Sequence, residues 1–221
     1  MKKKKKWPLV LAVLAVVLLI LGWYLFLGNK IQNASSEIMK GDPETKSLIV
    51  YFSRSGVITA EGSADAVTSA SMNIHDGVTE QAAQKLQRLT GADIYQIRTE
   101  RYYRNAFVGT AATAWVEEAL NMRPGLAARP ASLSTYDVIY VGFPIWWFNA
   151  PMAIGTFLES YDLTGKTVVP FCTSQDNDIS ICMDYIRDVS GNATVLNGYR
   201  FNRSSDEDVM KWLNGIGMVA G

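Results

Sequence analysis

One histidine and two cysteines in 221 residues leave this chain short of the side chains from which many active centres are assembled. A Ser-His-Asp or Cys-His arrangement needs a base that a third group can orient, and the lone His75 lies in a polar loop without that context. A structural zinc site needs four ligands, and His75, Cys172 and Cys182 do not make a set. Net charge is missing too, with 21 basic and 21 acidic residues, but the balance hides two unlike parts. Residues 1–46 carry eight Lys against three acids, and residues 47–221 carry 13 basic against 18 acidic, about −5. An acidic globular part argues against nucleic acid as a partner. Cys172 and Cys182, ten residues apart, fit either two small buried side chains or, outside the cell, a disulfide.

What is present starts with MKKKKK, followed by an uncharged apolar run over residues 7–28. Twenty-two residues at about 1.5 Å each span roughly 33 Å as a helix, enough to cross a bilayer core. The run is longer than the apolar part of a cleaved signal and no clear A-x-A site follows, so residues 1–28 read as a retained single-pass anchor. Five lysines ahead of the run keep the amino terminus in the cytoplasm and place the globular part outside. No twin-arginine signal precedes the run, so the domain is expected to cross unfolded and take up any cofactor afterwards. Residues 29–46 are polar, with Gly41 and Pro43, and read as a linker to a domain over residues 47–221.

From residue 47 the pattern alternates. Apolar runs at 47–53, 92–98, 137–143, 166–174 and 193–201 predict strands, and the periodic segments 78–91, 110–122, 150–161, 179–191 and 205–217 predict helices. Strands alternating with helices mean a parallel sheet covered on both faces, a three-layer α/β/α sandwich with five parallel strands. Ligands in such sheets bind where the strands end at their carboxyl termini. Three loops there carry chemistry.

The loop after the first strand has Ser53, Arg54 and Ser55, and it ends at Gly77, Val78 and Thr79, where a helix begins. Hydroxyls, a glycine and a helix amino terminus are what a phosphate needs; a Ser/Thr-rich surface loop with Thr79 as cap is the plainer reading. The loop after the third strand holds Pro144, Ile145, Trp146, Trp147 and Phe148. Adjacent tryptophans offer a flat apolar surface for a planar ring, against the alternatives of a core plug or an oligomer contact. After the fourth strand, Cys172, Thr173, Ser174 and Asn177 belong to a polar loop that either hydrogen-bonds a heterocycle's edge or turns the chain.

The stretches YDVIYVGFPIWWFNAPM (136–152), FLESYDLTGKTVVPFCTS (157–174) and TGADIYQI (90–97), in this order and spacing, resemble the flavodoxin-like family, in particular the branch with an SRSG first loop and a PIWW second loop. The resemblance covers nearly all of residues 47–217 and implies strand order 2-1-3-4-5 and a bound FMN. It implies that the phosphate lies on Ser53, Ser55, Gly77, Val78 and Thr79, and the ring between the loops holding residues 144–148 and 172–178. Two positions depart from the family. Val78 stands where relatives have Asn, removing one polar side chain, and Gln175-Asp176-Asn177-Asp178 replaces a glycine-rich loop. The second change is expected to restrict backbone freedom and to set two carboxylates near the ring, lowering its potential. The expectation is therefore a membrane-tethered, FMN-binding electron-transfer protein or oxidoreductase, a quinone reductase for example. The competing expectation is a binding module that keeps the fold and has lost FMN.

Overall fold

A computed structural model describes residues 7–22, 37–53, 77–101, 103 and 107–218. Helix α1 (Trp7–Gly22) is apolar along its length, and its side chains from Leu11 to Leu21 are exposed. No helix among the described residues is long and apolar enough to cross a membrane. The rest of the expected anchor, residues 1–6 and 23–28, lies outside the described residues.

The domain alternates as the pattern predicts: β1 (Ser47–Phe52), α2 (Val78–Thr90), β2 (Asp93–Ile97), α3 (Phe107–Ala119), β3 (Val138–Pro144), α4 (Met152–Leu158), β4 (Thr167–Thr173), α5 (Met183–Val189), β5 (Thr194–Val195), β6 (Tyr199–Phe201) and α6 (Asp206–Gly215). The sheet is parallel, in the order β2-β1-β3-β4-β5, and β6 also pairs with β4. Strands β1, β3 and β4 are buried almost throughout, which is why they read as continuous apolar runs rather than alternating ones.

The fifth strand expected at 193–201 is split, and the cause is visible in the register. Val168 pairs with Val195 and Phe171 with Tyr199, so three residues of the edge strand face two of β4. That extra residue is a bulge, and it faces Pro170, which has no N–H to give to the ladder. Helices α2 and α6 cover one face, over Ile49, Ile94, Val169, Val209 and Leu213. Helices α3, α4 and α5 cover the other, over Val50, Val141, Phe143, Ile154, Phe157 and Ile186. At Gly142 in the centre of the sheet, a Cβ would run into the Phe171 ring, so only glycine fits.

The polar stretch before β1 is fastened to the domain over its described part. Met39 forms an antiparallel bridge with Ile94, covering the open edge of β2. The Asp93 carboxylate, buried at the foot of β2, accepts from Lys40 Nζ (2.6 Å), Tyr136 Oη (2.6 Å) and Gly41 N–H (2.7 Å). Burial pushes this carboxyl up, but the three hydrogen bonds outweigh it and hold it below the usual Asp range.

Candidate functional site

The carboxyl ends of β1, β3 and β4 meet at Thr173. This residue ends β4 and is buried. Its hydroxyl lies 2.7 Å from that of Thr79, in the first turn of α2, and its carbonyl accepts from the Ile145 N–H at 3.2 Å. One residue therefore joins the three loops picked out by sequence. Thr79 is fully buried, so its hydroxyl faces the protein interior rather than serving as an exposed helix cap. The cap position of α2 is Gly77, and no side chain caps the helix there.

Ser53 is buried at the end of β1, and its carbonyl accepts from Gln96 Nε2 at 3.3 Å. Arg54 and Ser55 fall outside the described residues. Val78 opens α2 half-exposed. Pro144 ends β3, and Ile145 is buried beside it. The two tryptophans do not form one face. Trp146 turns inward and packs edge-on against Phe52 (5.3 Å) and Tyr103 (5.2 Å), while Trp147 and Phe148 are 46% and 69% exposed. Paired backbone bonds between Trp146 and Asn149 (2.8 and 2.9 Å) close a tight turn with Trp147 and Phe148 at its tip. Both tip residues have positive φ, +47° and +65°. Two bulky residues in the left-handed region cost about 1–3 kcal/mol each, a strain that clusters at ligand sites.

The loop after β4 is held by its own side chains. Ser174 Oγ accepts from Asn177 N–H, Arg200 donates to the Gln175 carbonyl, and the Asp178 carboxylate caps the 3-10 turn Ile179–Cys182 by accepting from Ser180 N–H. That capping holds Asp178 below the usual carboxylate range, so it is charged at neutral pH with its charge absorbed by the turn. No residue from Gln175 to Asp178 has positive φ. The loss of glycine here therefore carries no conformational cost. Cys172 and Cys182 are free thiols, both buried.

A cleft of about 490 Å³ opens beside Thr173, between α2 and the loop that follows β6. Its walls include Val78, Ser174 and Gln175 together with Gln81, Lys85 and Arg203, which sequence reasoning did not single out. A signal for them exists: 78, 81, 82 and 85 share one face of α2 by helical spacing, and residues 202–204 follow a strand at the same end of the sheet. Lys85 is pinned there by Asp206 (2.8 Å) and the Ser204 carbonyl (2.8 Å).

The sequence profile described as flavodoxin matches residues 67–216. The chain belongs to the flavodoxin family. Among solved structures, a candidate flavoprotein of Bacteroides eggerthii is 30% identical over 79% of this chain and 99% of its own, with a TM-score of 0.64. A second, from Bacteroides uniformis, is 32% identical over 77% of this chain and 98% of its own, at 0.62. A Lactobacillus acidophilus flavoprotein, 20% identical over 76% of this chain and 98% of its own with a TM-score of 0.56, shares the fold. Comparison with curated proteins gives no match. The strand order observed here is the flavodoxin one.

Proposed function

We propose that this flavodoxin-family protein binds FMN at the junction of its three loops and passes electrons at a membrane surface. The observation that carries the reading is the convergence on Thr173 of the loops after β1, β3 and β4. The Lactobacillus acidophilus neighbour is a complex with FMN, which supports the choice of flavin. The residues present fit the group. The start of α2 at Gly77, Val78 and Thr79, which no side chain caps, with Ser53 and, by sequence, Arg54 and Ser55, would supply backbone N–H groups, serine hydroxyls and a positive helix end for a phosphate. The exposed, strained Trp147–Phe148 tip supplies apolar surface for a ring, and the loop of Thr173, Ser174 and Asn177 supplies polar atoms for its edge. Bound FMN would supply the redox chemistry, exchanging electrons with a donor and an acceptor. The protein's part is to hold it, exclude water and set its potential.

The membrane placement rests on the apolar run at 7–28 and the five lysines before it. The test is a fluorescence-quenching titration of the full chain, purified in detergent without flavin, with FMN and then riboflavin. Tight FMN binding with riboflavin at least about tenfold weaker is expected, because only FMN places an anion at the start of α2. Equal affinities would remove the phosphate from that position, and no binding of either would leave a binding module without flavin.

A further inference from the structure

Helix α3 is built inside out. Its buried stripe is Thr110, Thr113, Ala114 and Glu117, while Val108, Trp115 and, just past its end, Leu120 are exposed. A helix that packs for stability alone buries the apolar set. Glu117 is 5% exposed, and its carboxyl accepts a 2.6 Å hydrogen bond from Tyr103 Oη. The Tyr103 ring is in turn edge-packed on Trp146 and on Phe52, the residue before Ser53. A second link runs from the same helix to the same loop: Trp147 Nε1 donates to the Ala111 carbonyl at 2.7 Å. Both tryptophans of the turn are thus attached to α3, one through Tyr103 and one directly.

We propose that Glu117 and Tyr103 form a proton-dependent brace that positions the Trp146–Trp147 turn. As a neutral acid, Glu117 sits buried with Tyr103 as its partner. Ionised, it holds a charge against one hydrogen-bond donor and, among the described residues, no cation, so the charged form favours hydration and a looser seat for α3. Loosening α3 displaces Trp147 through the Ala111 carbonyl and Trp146 through the Tyr103 ring. Burial pushes the Glu117 carboxyl up to about 7, with Tyr103 drawing it slightly back. Tyr95 on β2 and Cys182 before α5 are pushed up to about 12, and burial raises Cys172 on β4 further. Strands β1 and β3 contribute apolar groups such as Val50, Phe52 and Phe143 to this side, and α4 contributes Ala153, Ile154 and Phe157. The consequence for cofactor binding rests on the flavin reading above; the movement of the turn does not.

The experiment is 19F NMR of the flavin-free full chain in detergent, with 5-fluorotryptophan at its six tryptophans and resonances assigned by single Trp→Phe substitutions. Between about pH 5.5 and 9 the Trp146 and Trp147 resonances are expected to move together with a midpoint near 7, and Trp212, on α6 across the sheet, is expected to stay still. Glu117→Gln should freeze both at their low-pH positions. Tyr103→Phe, which removes the bond favouring the charged form, should move the midpoint upward. His75→Gln, the control for the chain's single histidine, should change nothing. Resonances that stay fixed in the unsubstituted protein, move unchanged in Glu117→Gln, or stop moving in His75→Gln overturn the brace. FMN titration of the same samples should show affinity about tenfold weaker at about pH 8.5 than at about pH 6, and no such loss in Glu117→Gln. Absence of FMN binding at every pH refutes the flavin reading, and the resonances still decide the brace.

Discussion

Helices α2 and α3 flank the same sheet from opposite faces, and their buried stripes differ in what they hold at the centre, Leu86 in α2 and Glu117 in α3. Helix α2 buries Ala82, Ala83 and Leu86 beside Thr79 at its start, leaves Gln84 in water, and ends at Gly91 in the left-handed conformation, whose N–H donates to the Gln87 carbonyl. Helix α3 buries two threonines, an alanine and a glutamate and turns a valine and a tryptophan outward. Thr113 can sit inside because its hydroxyl donates to the Gly109 carbonyl one turn back, at 2.9 Å. Glu117 has no such local solution and depends on Tyr103. The comparison separates two uses of a buried face. One contributes stability by removing apolar area from water; the other gives some of that up to hold a titratable group against an aromatic loop.

The contrast can be broken from the α2 side first. Leu86→Ala removes a fully buried side chain packed over β1, and chemical denaturation should show a loss of about 3 kcal/mol. On α3 the sign reverses. Glu117→Gln should stabilise the protein by up to about 3 kcal/mol at pH 8 and leave it nearly unchanged at pH 5. The sign follows from proton binding. With the folded pKa raised from 4.5 to about 7, the native state binds more protons than the unfolded chain in that window. Stability therefore falls as pH rises through it, and a glutamine has no such dependence. Thermal melts at the two pH values check this, and a glutamine variant less stable than its parent at pH 8 would refute it. The smallest effect concerns the turn that α3 holds. Phe148→Gly should gain about 0.5–1 kcal/mol, because glycine relieves a φ of +65° while an exposed ring gives up little burial. The same substitution should weaken FMN binding if the ring uses that tip, so stability and affinity would move in opposite directions.

Much of the fold was legible because burial imposes a simple pattern. Strands β1, β3 and β4 lie covered on both faces and must be apolar throughout, and α2 must be amphipathic because one face meets them. The candidate loops were legible for a related reason, since a doubly covered parallel sheet leaves its carboxyl ends as the place for ligands. The bulge opposite Pro170 was not, because it depends on which strand lies alongside β4. Nor was the inward turn of Trp146 next to an outward Trp147, because a tight turn between them decides which ring meets Phe52 and Tyr103.

By itself the sequence determined the alternation of strands and helices, the acidic character of the domain, the apolar run at 7–28 and the three loops at the sheet's carboxyl end. Only the tertiary structure decided that Thr79 meets Thr173 across 94 positions, that Lys40 and Tyr136 converge on Asp93, and that Glu117 lies on Tyr103 beneath the aromatic turn. The physical reason is the range of the forces involved. Periodic burial is a local property written along each element, whereas a hydrogen bond or a ring contact exists only once distant elements have been brought to within a few ångströms.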